Sequence, residues 1–185
     1  MNRKNSKFKK INLVSSLFFI FVAVFYLIYE KSIHSKSTGD GFVPVVSVSD
    51  GDTVHVMIDR KEEKVRLIGI DAPEIGQKPW GEEAKKYLES LLSSSGWRVK
   101  MEYDVEKRDQ YGRILAYLRT TDGKLINLLM IKSGYAMLYT IPPNVKYVNE
   151  LKDAQREARQ GKLGIWSEKG LKERPRDYRR DHPRM

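Results

Sequence analysis

Apolar residues recur along this chain with one of two periods, and each change of period marks a new element. Phe42 to Val48 is rich in β-branched residues, and Thr53 to Ile58 sets Val54, Val56 and Ile58 on one face. Val65 to Ile70 is a further apolar run with Arg66 set in it. These segments predict three successive strands, a meander. From Trp80 to Leu92 the period lengthens: Ala84, Tyr87, Leu88, Leu91 and Leu92 fall at helical spacing, and Ser93 to Gly96 stops the run. Alternation returns in Trp97 to Tyr103 and Arg113 to Arg119, joined by the charged turn Asp104 to Gly112, whose Tyr-Gly closes a hairpin. After the Asp122-Gly123 turn, Leu125 to Lys132 predicts a short helix ended by Gly134. Beyond Pro142-Pro143-Asn144, the spacing of Tyr147, Leu151, Ala154 and Ala158 predicts another helix, up to Gly161.

Five strands, with one helix after the third and two more at the end, predict an α+β domain. The expected architecture is a five-stranded barrel under three helices, of the OB-fold type, over residues 42–167. The stretch 168–185, charged throughout and carrying two prolines, is expected to be a disordered basic tail.

At the other end the pattern has no polar face at all. Arg3, Lys4, Lys7, Lys9 and Lys10, in a basic segment of residues 1–10, precede the run Ile11 to Tyr29, apolar except at Asn12, Ser15 and Ser16. As a helix rising about 1.5 Å per residue, such a run nearly spans a hydrocarbon layer of roughly 30 Å. Two fates are open to it: a cleaved secretory signal, or an uncleaved transmembrane anchor whose basic end stays in the cytoplasm. Its length, and the Glu30-Lys31 that ends it without an Ala-x-Ala-like site, favour the anchor. Either fate carries the domain to the far side of a membrane, after the polar linker 30–41.

Composition narrows the chemistry. With no cysteine, disulfides, Cys-ligated zinc and thiol nucleophiles are excluded, and three scattered histidines make a His-based metal site a poor reading. The net charge of +10 is uneven: residues 1–39 carry seven basic residues against Glu30, and 167–185 carry seven against four acidic ones. The domain between is nearly neutral, so bulk charge says little about its partner. A basic tail could still add sequence-independent attraction to phosphates. His55 reads as a surface residue, and Trp80, Trp97 and Trp166 as core or rim packing.

Four segments hold an unusual set of polar groups: Asp50-Gly51-Asp52-Thr53, Arg66, Asp71-Ala72-Pro73-Glu74, and Asp109-Gln110-Tyr111-Gly112-Arg113. Singly, each is a turn or hairpin signal. Arg66 either points to solvent by alternation or faces inward, where a guanidinium is costly unless it meets an anion. Asp71 closes the same strand. If that strand pairs with the one before it, Asp52 lies beside Asp71, and two carboxylates with nearby backbone oxygens suit Ca²⁺ or Mg²⁺.

Taken together, Asp-Gly-Asp-Thr, the arginine fourteen residues after its second Asp, Asp and Glu five and eight residues further on, and the later Tyr-Gly-Arg resemble the staphylococcal nuclease (thermonuclease) family. The resemblance extends from about Phe42 to the Gly-Ile-Trp-Ser of Gly164 to Ser167. It implies a Ca²⁺-dependent endonuclease acting on DNA and RNA and leaving 3′-phosphates. It also implies that Asp52 and Asp71, with the carbonyl of Ala72, hold the metal, and that Glu74 activates water. Arg66 and Arg113 would grip the phosphate, and Tyr111 and Tyr139 would contact the nucleotide. Three departures stand out. Ala72 replaces a threonine that serves through its carbonyl, Gln110 replaces a phosphate-contacting lysine, and the loop Ile75 to Trp80 is short. The expected chain is a monomer held at a membrane. The rival readings are a non-catalytic nucleic-acid-binding OB module and a structural part of a membrane-bound DNA-handling assembly.

Overall fold

The computed structural model describes residues 41–183, together with Val22 and Val24, which are helical. The chain divides into two units, Met1–Gly39 and Asp40–Met185. The expected membrane-crossing run 11–29 lies outside the described residues except at those two valines. Among the described residues no helix is long and apolar enough to cross a membrane.

The second unit is built on a closed five-stranded barrel. Its strands are β1 (Phe42–Asp50), β2 (Thr53–Ile58), β3 (Lys61–Leu67), β5 (Arg98–Glu102) and β6 (Ile114–Arg119), in the circular order β1-β2-β3-β6-β5. All pairs are antiparallel except β3 with β6. The interior is filled by the alternate residues Val54 and Val56 of β2, Val65 and Leu67 of β3, Val99 of β5, and Ile114, Ala116 and Leu118 of β6. In β1 the inward valines, Val45 and Val48, are three apart. A register shift against β2 between Val45 and Ser47 turns the strand so that both reach the core, and a second shift follows between Val48 and Asp50.

The predicted third strand shifts in register with the sequence. It begins at Lys61, four residues before the apolar run, because ladder pairing with Ile58 and Met57 needs only backbone, and this end of the hairpin is wet. It ends at Leu67. After a turn at Ile68-Gly69, Ile70–Asp71 forms a separate short strand, β4, paired with β7 (Met137–Leu138) outside the barrel. Buried Asn127 pins that turn, donating from Nδ2 to the Ile68 carbonyl (2.8 Å) and accepting from the Leu118 N–H (3.0 Å).

Helix α1 (Trp80–Ser94) has Glu82 and Glu83 in its first turn, where the helix dipole favours anions, and buries Ala84, Leu88 and Leu92 at four-residue spacing against the barrel. Each fully buried leucine of this kind contributes roughly 1.5–3 kcal/mol. Helices α2 (Ile126–Lys132) and α3 (Val148–Gln160) complete the cover, α3 through Leu151, Ala154 and Ala158.

The expected disordered tail carries regular structure within its described residues, 168–183. After a single 3₁₀ turn, Gly164–Trp166, the chain continues into a fourth helix, α4 (Pro175–Asp181), so the domain carries four α-helices among its described residues where three were expected. Composition misjudged this segment because it is held by polar contacts with particular partners rather than by an apolar face. The Gln77 Nε2 donates to the Glu173 carbonyl (2.9 Å), the Trp80 Nε1 donates to the Lys169 carbonyl (3.3 Å), and Pro175 is buried.

Glu102 accepts from Tyr147 Oη (2.6 Å) and Arg119 Nε (3.1 Å) and pairs with Lys146 Nζ (2.5 Å), joining β5, β6 and the start of α3. Partial burial works to raise its pKa, but these three donors outweigh it and hold the carboxyl down at about 2. The folded chain therefore binds fewer protons here than the unfolded one, so the stabilisation is complete above about pH 4.5 and is lost as pH falls toward 2. Glu102→Gln is expected to lower the melting temperature at neutral pH, with the difference from wild type shrinking to nothing as pH is lowered through that window, followed by calorimetry.

Candidate active site

Strand pairing assembles the acidic cluster. The turn Asp50-Gly51-Asp52 links β1 to β2, and Thr53 of β2 sits opposite Arg66 of β3. The Leu67 N–H donates to the Asp52 carbonyl (2.9 Å), and the Ala72 N–H donates to Asp52 Oδ2 (2.8 Å), which brings the end of β4 onto the turn. Gly51 is what lets the two segments close. A Cβ at this position would lie 2.7 Å from the Cβ atoms of both Ala72 and Ala84 of α1.

Asp52 is 5% exposed and Asp71 3%. Two buried carboxylates are tolerable only if paired. Arg66 Nη2 lies 3.0 Å from Asp52 Oδ2 and 3.3 Å from Asp71 Oδ1, while Nη1 donates to the Leu67 carbonyl at 2.6 Å. Neither sequence-based alternative for Arg66 describes it fully. Alternation turns it out of the barrel, yet its side chain is only 12% exposed and is held against both carboxylates. Asp52 Oδ1 accepts in addition from Thr53 Oγ1 (2.9 Å).

Two residues of the site escaped the sequence reading. Asp50 belongs to the Asp-Gly-Asp motif, which by itself signals only a turn. Its Oδ1 accepts the Asp52 N–H (3.1 Å), and burial, followed by the neighbouring charge of Asp52, pushes its carboxyl up to about 6. The second is Arg179 of α4. Its Nη1 donates to Asp71 Oδ1 (2.9 Å) and Glu74 Oε1 (2.8 Å), and its Nη2 to Asp71 Oδ2 (3.1 Å). No signal in the sequence pointed to it, since it lies more than a hundred residues from its partners in a segment without apolar periodicity. Burial pushes the Asp71 carboxyl up, against the pull of Arg179 and Arg66.

Glu74 follows Pro73 at the mouth of the cluster, its N–H bonded to Gln77 Oε1 (3.0 Å). Arg113 stands at the start of β6, one residue before Ile114, which pairs with Val65. This puts it on the strand beside the one that carries Arg66, but its side chain is engaged elsewhere. Nε donates to Asp109 Oδ2 (2.7 Å), and the guanidinium lies 5.5 Å from the ring centroid of Tyr111. Tyr111 is 75% exposed. Tyr139 directly follows β7, and its N–H donates to the Gly69 carbonyl (3.0 Å), beside the strand that ends in Asp71.

The oxygen set of Asp50, Asp52 and Asp71, with backbone carbonyls close by, suits a hard divalent cation. Burial raises the carboxyls of Asp50 and Asp71, and for Asp71 the two neighbouring arginines oppose that rise. Among the described residues no three such side chains form a ready-made metal cage. The positive charge at the cluster comes from Arg66 and Arg179 instead.

The model of the staphylococcal nuclease homologue family matches residues 64–168, more than half of the chain. The thermonuclease of Staphylococcus intermedius is 36% identical over 156 residues, covering 80% of this chain and 90% of that protein. The thermonuclease of Staphylococcus hyicus is 34% identical over 142 residues (74% and 82%). Endonuclease YncB of Bacillus subtilis (strain 168) is 37% identical over 128 residues, 65% of this chain and 59% of that protein. A five-stranded barrel with an arginine-bridged carboxylate cluster, together with these relatives, puts the protein in the class of nucleases. Within that class, the chain belongs to the staphylococcal nuclease family.

Because a Cβ at residue 51 has no room, Gly51→Ala is expected to cost about 1–3 kcal/mol through overpacking, read as a lower urea midpoint with an unchanged slope.

Proposed function

We propose that the chain is a Ca²⁺-dependent endonuclease that hydrolyses phosphodiester bonds of DNA and RNA. The observation that carries this reading is the buried Arg66 bridge between Asp52 and Asp71, with Glu74 three residues further along at the site's mouth. Asp52, Asp71 and the Ala72 carbonyl would hold the metal, with Asp50 beside them. When bound, the ion supplies electrostatic stabilisation of charge on the phosphoryl oxygens. Glu74 takes a proton from the attacking water as its oxygen bonds to phosphorus. The bond to the 5′ oxygen breaks, the leaving oxygen takes up a proton, and the product is a 3′-phosphate with a free 5′-hydroxyl. Arg66 and Arg113 donate to phosphate oxygens, whose charge grows in the transition state, so they serve turnover more than ground-state binding. For Arg113 this requires exchanging Asp109 for phosphate, an exchange between two anionic acceptors at a partly exposed position. Tyr111 and Tyr139 present rings for nucleotide contact.

The basic segment 1–10 and the apolar run 11–29 support a further part of the proposal, that the domain is anchored by its N-terminus and works on the outer face of a membrane. Carbonate extraction of membranes from expressing cells, with protease added from outside, is expected to leave the chain in the pellet and its domain digestible. Release into the soluble fraction at full length would overturn anchoring.

Catalysis is tested by incubating the protein with single-stranded DNA and RNA in Ca²⁺, in Mg²⁺ and with a chelator. Cleavage is expected in Ca²⁺ alone, and Glu74→Gln is expected to lower kcat by about 10²–10⁴-fold with little change in KM. A folded protein that binds nucleic acid but leaves it intact in every metal would instead make this a binding module.

A further inference from the structure

Arg179 sits where the proposed chemistry needs negative charge to be free. Its Nη1 is shared between Asp71 Oδ1 and Glu74 Oε1 at 2.9 and 2.8 Å, and its Nη2 takes the second oxygen of Asp71 at 3.1 Å. The metal ligand Asp71 thus gives both carboxylate oxygens to one guanidinium, and the candidate base Glu74 gives it a third. A guanidinium spanning both neutralises the base and presents one positive charge where a divalent cation would take its place. Two buried carboxylates and a glutamate at the mouth are more fully compensated with it than without it.

The contact belongs to a docked element rather than to a stray side chain. Helix α4 is seated on the short loop between Glu74 and α1: Gln77 holds the Glu173 carbonyl, Trp80 holds the Lys169 carbonyl, and Pro175 is buried. Gly76 provides the seat for the ring of Tyr178, since a Cβ there would fall 2.4 Å from the Tyr178 hydroxyl. Gln77 also accepts from the Glu74 N–H, so the residue that fastens the tail is bonded to the candidate base. This element lies beyond the region 64–168 that the family model matches.

We propose that α4 is an autoinhibitory plug in which the Arg179 guanidinium substitutes for the divalent cation, so that metal binding and tail release are coupled. The inference rests on the proposed Ca²⁺ site. With α4 docked, Asp71 and Glu74 are occupied, and the ion binds only to the fraction of molecules whose tail has lifted. Its apparent affinity is reduced by that fraction. By linkage, metal in turn expels the helix. Such a device keeps the site closed where calcium is scarce and opens it where calcium is abundant.

The test is calorimetric titration of Ca²⁺ into the full chain in mild detergent, without nucleic acid, for wild type, Arg179→Ala and Arg179→Lys, with hydrogen exchange of residues 173–182 followed alongside. The Arg179 side chain is 37% exposed, so the variants are expected to keep their far-UV circular dichroism. Arg179→Ala should bind Ca²⁺ about tenfold more tightly, within the 5–150-fold usual for coupled sites. Arg179→Lys, which keeps the charge but not the fork, should fall between. In wild type, Ca²⁺ should accelerate exchange in α4. Equal or weaker binding by Arg179→Ala, or exchange in α4 untouched by Ca²⁺ that does bind, would overturn the plug alone. Absence of Ca²⁺ binding in all three proteins would overturn the metal site itself and the plug with it.

Discussion

Two carboxylates held at 5% and 3% exposure have lost nearly all their water, and everything around the site follows from how that loss is compensated. Desolvating an ion costs several kcal/mol even after the protein relaxes, so Asp52 and Asp71 persist as a pair only with cationic and N–H partners placed on them. Arg66 bridges both, the Ala72 N–H and Thr53 hydroxyl complete Asp52, and Arg179 takes the remaining face of Asp71. Burial pushes the carboxyls of Asp50 and Asp71 up, and at Asp71 both Arg179 and Arg66 work against that rise.

The barrel converts this electrostatic demand into position. Closing β3 onto β6 in parallel, while β2 pairs with β3 in antiparallel register, puts Thr53 across from Arg66 and brings Asp52 to the end of β4. The turn at Ile68-Gly69, pinned by buried Asn127, separates β3 from β4 so that Arg66 and Asp71 curl back toward each other instead of running on in one strand. Gly51 removes the one Cβ that would hold the Asp50–Asp52 turn away from Ala72 and α1. Loop chemistry is thus set by strand register, which is why short segments far apart in the chain act as one site.

The tail shows where pattern reading reaches its boundary. A run rich in charge and poor in apolar residues has no periodic face, and composition alone assigns it to solvent. Here it folds because its partners are few and specific: a glycine that leaves room for Tyr178, a glutamine and a tryptophan that bind its carbonyls, and two acids that bind Arg179. The short Ile75–Trp80 loop forms the seat for this helix.

From the sequence alone, the alternation and helical spacing of apolar residues determined the five barrel strands and three covering helices. The spacing of Asp52, Arg66, Asp71, Glu74 and Arg113 carried the resemblance to the staphylococcal nuclease family. The periods are local, because burying one face of a strand or helix imposes them wherever the partner lies. The tertiary structure decided the rest: that Val45 and Val48 share the core through bulges, that Arg66 is covered although it faces outward, that Asp50 joins the cluster, and that Arg113 turns to Asp109. It alone decided that Arg179 meets Asp71 and Glu74. An ion pair between residues more than a hundred positions apart leaves no period in the chain, because its energy depends on distance and desolvation in the folded state and on nothing that neighbouring residues encode.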